Sequence, residues 1–162
     1  MDVMFIRSNA LAALLVAMSV SAATQAPPGQ DFTGTWALNV PRSDYGPFPA
    51  PERRTDTIEH RASTLKVTRR EVPSGGRERT AEWSCTTAGA ECTNVIGGND
   101  MKSTVRWDGP VLVVDTKTMY NQQPATISDR WTLSPDGRLL TISRHAASPE
   151  GTVDQVFVLE RQ

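Results

Sequence analysis

Two histidines and four tryptophans are all that this chain offers of those residue types, so the side chains able to bind or relay protons can be weighed one by one. An imidazole facing an enclosed space could contact a polar ligand, move a proton, or ligate a haem iron axially. An imidazole held by its neighbours does none of these, and both readings stand for His60 and His145. Arg130, Arg144 and Tyr120 would receive a carboxylate if their strands turned them inward, and would be plain surface groups if not. Trp83, Trp107 and Trp131 offer rings on which a ligand could stack, or simply large area with which to fill a core. Tyr45 and Phe48 stand in a proline-rich stretch where an apolar side chain needs something to rest on. Hydroxyls are plentiful, yet there is no Gly-x-Ser-x-Gly elbow and no Ser-His-Asp arrangement. No carboxylate pair is set apart for acid–base work, and no phosphate loop or zinc spacing appears. These residues suit binding better than catalysis, and no cofactor or metal is expected.

Cys85 and Cys92 are the two cysteines. A two-residue turn at Ala88-Gly89 would place them opposite one another on neighbouring strands, a separation that a disulfide can bridge. Closing so short a loop stabilises by about 2 to 2.5 kcal/mol in the chain-entropy picture. Free thiols, a redox dithiol or a metal pair are the alternatives. A redox motif usually reads C-x-x-C, and a metal would want further ligands.

The elements that must position these groups are strands. Trp83, Trp107 and Trp131 recur at two equal spacings of 24 residues, each in an alternating segment with a glycine turn just beyond it. Two antiparallel strands with their turns take up about that length, so each step returns a Trp to the same face. Residues 32–40 form a first strand with Phe32, Gly34, Trp36 and Leu38 on one side. Residues 41–54 carry four prolines, which forbid a helix or a central strand and leave a flap over one end of the fold. Residues 55–72 read as a hairpin around Ala62-Ser63. There Glu59 faces Lys66 and Asp56 faces Arg69 as charge pairs on one face, while Ile58 meets Val67 and His60 meets Leu65 on the other. Further hairpins follow. Residues 79–87 pair with 90–96. Residues 101–107 pair with 110–120 around Asp108-Gly109, setting Val105 opposite Leu112. Residues 125–133 pair with 138–145, setting His145 opposite Ile127, and a last strand spans 152–160. Both histidines then point inward. The fold class expected is all-β, an antiparallel up-and-down barrel of about ten strands, with an open bent sheet as the runner-up.

Thr33-Gly34-Thr35-Trp36 resembles the Gly-x-Trp signature of the calycin group, which comprises lipocalins, fatty-acid-binding proteins and avidins. The resemblance implies that Gly34 permits close packing at the closed end, that Trp36 plugs the floor, and that Arg161 lies across Trp36 in a cation–π contact. Residues 31–60 and 130–162 look like small exported bacterial proteins described as lipocalin-like. Some signatures are unmatched. Ser43-Asp44-Tyr45 lies too early for the mid-chain Thr-Asp-Tyr type motif of lipocalins. Fatty-acid-binding proteins carry a helix-turn-helix lid where residues 41–54 stand here, and the biotin-contacting pattern of avidins is not recognisable.

Residues 1–23 read as an export signal: Arg7, an apolar run over 10–20 broken only by Ser19, and the cleavage site Ser21-Ala22-Ala23. That run is too short to span a bilayer, and no later segment approaches the length needed. A polar leader over 24–31 and a single barrel domain over 32–162 would follow, in the periplasm or secreted. A formal net charge of −1, with the charges interspersed, gives no clustered basic face for nucleic acid. The expected partner is a small, largely apolar molecule bound in the lumen of a monomer. A structural or protein-interaction module of the cell envelope is the alternative, and a barrel enzyme or haem protein the third.

Overall fold

Alternation of apolar and polar residues produces the same element ten times over. In the computed structural model, which describes residues 30–162, the strands are β1 (Gly34–Leu38), β2 (Arg53–Arg61), β3 (Thr64–Val72), β4 (Arg79–Thr86), β5 (Ala88–Ile96), β6 (Asn99–Asp108), β7 (Val111–Tyr120), β8 (Gln123–Leu133), β9 (Leu139–Ser148) and β10 (Gly151–Arg161). The export signal and most of the leader lie outside the described residues. All pairings are antiparallel, in the order β4-β3-β2-β1-β10-β9-β8-β7-β6-β5. The first strand therefore meets the last, Trp36 opposite Arg161, and the sheet curls into a nearly closed barrel. Among the described residues the helical content is one 3-10 turn, Val40–Arg42, inside the proline-rich connection.

One end is solid. Phe32, Trp36, Leu112, Trp131, Leu140 and Leu159 are buried there in a continuous core. The indole of Trp36 donates to the Phe32 carbonyl at 2.8 Å. Arg161 lies over the Trp36 ring, 4.3 Å from its centroid, and donates to the carbonyls of Gly137, Thr33 and Asp31. One guanidinium thus ties the leader and a turn to the floor. Gly34 makes the approach possible, since a Cβ there would stand 2.9 Å from the guanidinium, and its φ of +143° suits glycine.

Three registers depart from the sequence reading, and one face assignment does. The β2–β3 ladder has the expected partners, Asp56 with Arg69 and Glu59 with Lys66. Yet Asp56 shares its parity with Ile58 and not with Glu59, so it turns inward and is fully buried. Between β6 and β7 the turn falls on Gly109-Pro110 and Val105 meets Val114, a two-residue shift that leaves every face unchanged. Between β8 and β9 the turn is one residue longer. Ser134 closes it from both sides, its amide donating to the Leu139 carbonyl and its Oγ accepting from the Leu139 amide. That slip of one flips faces. His145 meets Ser128 and points outward. Lastly, β4 and β5 form no ladder; they are the two ends of the sheet, joined by the Cys85–Cys92 disulfide with Cα atoms 5.6 Å apart.

The β7–β8 connection places Asn121 (φ 49°) and Gln122 (φ 63°) in the left-handed region. Such two-residue turns ordinarily put glycine second. Gln122→Gly is expected to raise stability by about 0.5 to 1 kcal/mol, the relief of backbone strain exceeding the added freedom of the unfolded chain. A higher urea midpoint with an unchanged slope would show it; a lower midpoint would refute it.

Candidate functional site

Above the floor the interior changes character. Arg54 and Asp56, two apart on β2, both face inward and are 3% and 0% exposed. The Arg54 fork donates to the Asp56 carboxylate at 2.9 Å and 2.6 Å. Arg69, opposite on β3, reaches the same carboxylate at 3.3 Å and 3.4 Å. A second fork runs from Arg144 on β9 to Asp129 on β8, at 2.8 Å and 2.7 Å. Phe157 lies between the two systems, with the Arg54 guanidinium 4.9 Å from its ring centroid and that of Arg144 5.3 Å away. Three arginines and two aspartates leave one positive charge over in this cluster.

The ionisation of these groups follows from that geometry. Burial would raise the Asp56 carboxyl, but Arg69 and Arg54 overcome it and hold the pKa down at about 2. Burial together with the like charge of Arg54 lowers Arg69, against the pull of Asp56. Burial also disfavours the Arg144 cation, yet Asp129 outweighs it and the value rises.

Three adjoining cavities surround the arginines. One of about 140 Å³ lies deepest, between Trp83, Ile96, Val114, Ile127 and Trp131, with Arg69, Asp129 and Arg144 on its polar side. A second, about 340 Å³, is bounded by Met101, Met119, Tyr120, Ala146 and Phe48. A third, about 460 Å³, runs beneath the proline-rich flap past Tyr45, Pro49, Arg54 and Phe157. Arg144 borders all three. Phe48 stands between the two outer ones. The flap is pinned along β10 through paired backbone bonds between Asp44 and Val156, and the Tyr45 carbonyl accepts from Gln155 at 3.0 Å.

The residues singled out in the sequence divide accordingly. Trp83 and Trp131 line the deep cavity, edge to face with centroids 6.0 Å apart. Trp107 belongs to the floor, stacked on Phe32 at 5.9 Å. Tyr45 packs against Phe157, while Tyr120 and Phe48 are half exposed at the mouth. His60 does face inward, but into the floor between Phe32 and Trp107. It borders none of the three cavities around the arginines; burial lowers its pKa. His145 lies on the outer wall, hydrogen-bonded to Asp154 at 2.7 Å. Ser128 stands beside it, but its hydroxyl donates instead to Asp115 at 2.6 Å, so the row is a surface ladder and not a relay. Of the three polar groups weighed, Arg144 is inside, Arg130 is outside and bonded to Asp108 at 2.9 Å, and Tyr120 is at the rim. Arg54, Asp56, Arg69 and Asp129 were missed as a cluster. Their signal is parity: Asp56 keeps step with Ile58, and Asp129 with Trp131.

Among solved structures, this architecture is similar to a zebrafish ileal bile acid-binding protein complexed with cholic acid, with 17% identity and a TM-score of 0.55 over 81% of this chain and 98% of that one. The barrel is of the fatty-acid-binding-protein type. A secretory abundant heat soluble protein from Ramazzottius varieornatus is similar at 13% identity and a TM-score of 0.56, covering 81% of this chain and 95% of that one. A mutant of the REP1-NXSQ fatty acid transporter is similar at 14% identity and a TM-score of 0.52, covering 80% and 97%. No protein-family model matches the chain, and no curated protein matches it in sequence. The likeness at these identities is one of fold. Among the described residues, no helix is long and apolar enough to cross a membrane.

Proposed function

We propose that this chain is exported by its residues 1–23 and, as a monomer, binds a small, largely apolar molecule in the lumen, with an anionic group of that molecule at Arg69 and Arg144. The observation that carries this reading is the position of Arg144, which borders all three cavities while two of its nitrogens are engaged by Asp129. A five-donor group with two bonds made retains donors for an acceptor. Trp83, Ile127, Trp131 and Met101 supply the apolar wall on either side. The bile-acid and fatty-acid proteins of the same fold are consistent with a barrel used in this way.

The test compares a dansyl-labelled undecanoic acid with its methyl ester by fluorescence titration. A charge-assisted bond to a desolvated carboxylate contributes about 1.5 to 3 kcal/mol, so the acid is expected to bind at least about tenfold more tightly than the ester. Arg144→Met combined with Asp129→Leu, which removes the pair without orphaning a charge, should bring the two within about threefold. Equal binding of acid and ester to the wild type would discard the anionic contact. Binding of neither would discard the lumen reading and leave a side-chain-filled module of the envelope.

A further inference from the structure

The barrel wall has one seam, and it lies directly over the deep cavity. β4 and β5 are consecutive in the chain but sit at opposite ends of the strand order, so no backbone ladder joins them. Beside the connection at Thr87, the disulfide links Cys85 to Cys92. One step further along, the side chain of Asn94 takes the place of a missing strand neighbour. Its Oδ1 accepts from the Ser84 amide at 3.0 Å and its Nδ2 donates to the Ser84 carbonyl at 3.2 Å. A carboxamide carries one acceptor and two donors, so it can close one rung in both directions. Past that rung the two strands run on to separate turns, β4 back to the loop before Arg79 and β5 on to Gly97-Gly98.

What lies behind the seam makes it more than a gap in the ladder. Ala81 and Trp83 from β4, with Asn94 and Ile96 from β5, line the same cavity that reaches Arg69 and Arg144. Trp83 is half-buried and leans edge-on against Trp131. The other neighbouring strands are joined by antiparallel ladders, in which an opening would break several backbone bonds at once. Here, separating the strands as far as the disulfide breaks one side-chain rung. The other route, at the mouth, runs past Phe48 and the flap pinned to β10.

We propose that the ligand passes into the lumen through the side wall between β4 and β5, and that the Cys85–Cys92 disulfide limits how far this seam opens. The proposal rests on the lumen reading above. The disulfide acts on the rate of exchange because it restricts the open state, while neither cysteine lines the deep cavity.

Stopped-flow exchange of the dansyl-labelled undecanoic acid tests this, with circular dichroism confirming that each form is folded. Reduction of the wild type, or the double substitution Cys85→Ser/Cys92→Ser, is expected to raise association and dissociation rates together by about tenfold while Kd moves by less than about twofold. Asn94→Ala, with the disulfide intact, is expected to raise both by about threefold. If the forms lacking the disulfide do not stay folded, the Asn94→Ala rates decide alone. Rates indifferent to all three changes would overturn the side passage, as would acceleration confined to Phe48→Ser, which would put passage at the mouth. A wild type that binds no probe would fail the lumen reading itself and the passage with it; binding with unresponsive rates would fail the passage only.

Discussion

Trp36→Ala is expected to cost about 3 to 5 kcal/mol of unfolding free energy, the range for deleting a buried aromatic side chain that its surroundings cannot collapse to fill. Three features of the floor place it toward the upper end. The indole is fully buried, so the whole ring volume becomes a cavity. Its N–H donates to the Phe32 carbonyl, which then loses its partner inside the core. Arg161 loses the face on which it rests while remaining tied to three carbonyls. Urea unfolding followed by far-ultraviolet circular dichroism measures the change; a loss below about 1 kcal/mol would remove Trp36 from the core of the fold. Trp36→Phe, which keeps an aromatic ring but loses part of the volume and the N–H, is expected to lose about half as much.

Asp56→Asn is expected to destabilise by about 3 kcal/mol, because it leaves Arg54 and Arg69 without the charge that offsets their burial. The two arginines then stand beside each other and beside Arg144 with only Asp129 and the rim carboxylate Glu71 to balance them. The carboxyl's own titration sharpens the test. Its folded pKa of about 2 lies below the ordinary 3.8, so the ionised form is favoured by folding. That contribution, about 2 kcal/mol, is complete above about pH 5 and disappears as pH falls through 4 toward 2. The wild type should therefore lose stability across that interval more steeply than Asp56→Asn does. Parallel acid limbs would show that Asp56 is not held down by its arginines. Replacing all three members together, Arg54→Met, Asp56→Leu and Arg69→Met, is expected to be close to neutral, since a buried ionic triad and well-packed apolar side chains of similar volume have similar net worth. The triad would then be retained for the charge it sets at the lumen and not for stability.

Much of the fold was legible because strands announce themselves by alternation and their ends by turn residues. The regular spacing of Trp83, Trp107 and Trp131 states a two-strand repeat, and each of these rings does face inward. The β2–β3 register was readable residue by residue because charge pairing and apolar pairing agreed on it. The site was much less legible. Its aromatic half, Trp83 and Trp131 with Phe48 at the mouth, was visible as large apolar side chains. Its charged half was hidden, since Asp56 and Arg69 look like an ordinary surface pair until their parity with Ile58 is followed around the barrel. His145 was misplaced for a local reason: one extra residue in the Ser134-to-Leu139 turn, held by Ser134 together with Asp136, reverses every side chain of β9 relative to β8.

By itself, the sequence determined the class of structure: alternating segments of this length can be satisfied only by an antiparallel sheet, while the floor of Trp36 under Gly34 was implied by the resemblance of residues 33–36 to the Gly-x-Trp signature. The pairing of Cys85 with Cys92 was also local, since seven residues separate them and short-range geometry brings them together. The tertiary structure decided what no local rule reaches. Closure of β1 on β10 determines which end is filled and which is open. Curvature of the sheet brings Arg54, Arg69 and Arg144 from three strands to one cluster around Phe157. The break between β4 and β5 is likewise a property of the closed ring. Each pair of neighbours along the chain was free to form a ladder, and the curvature of all ten strands together left that one pair apart.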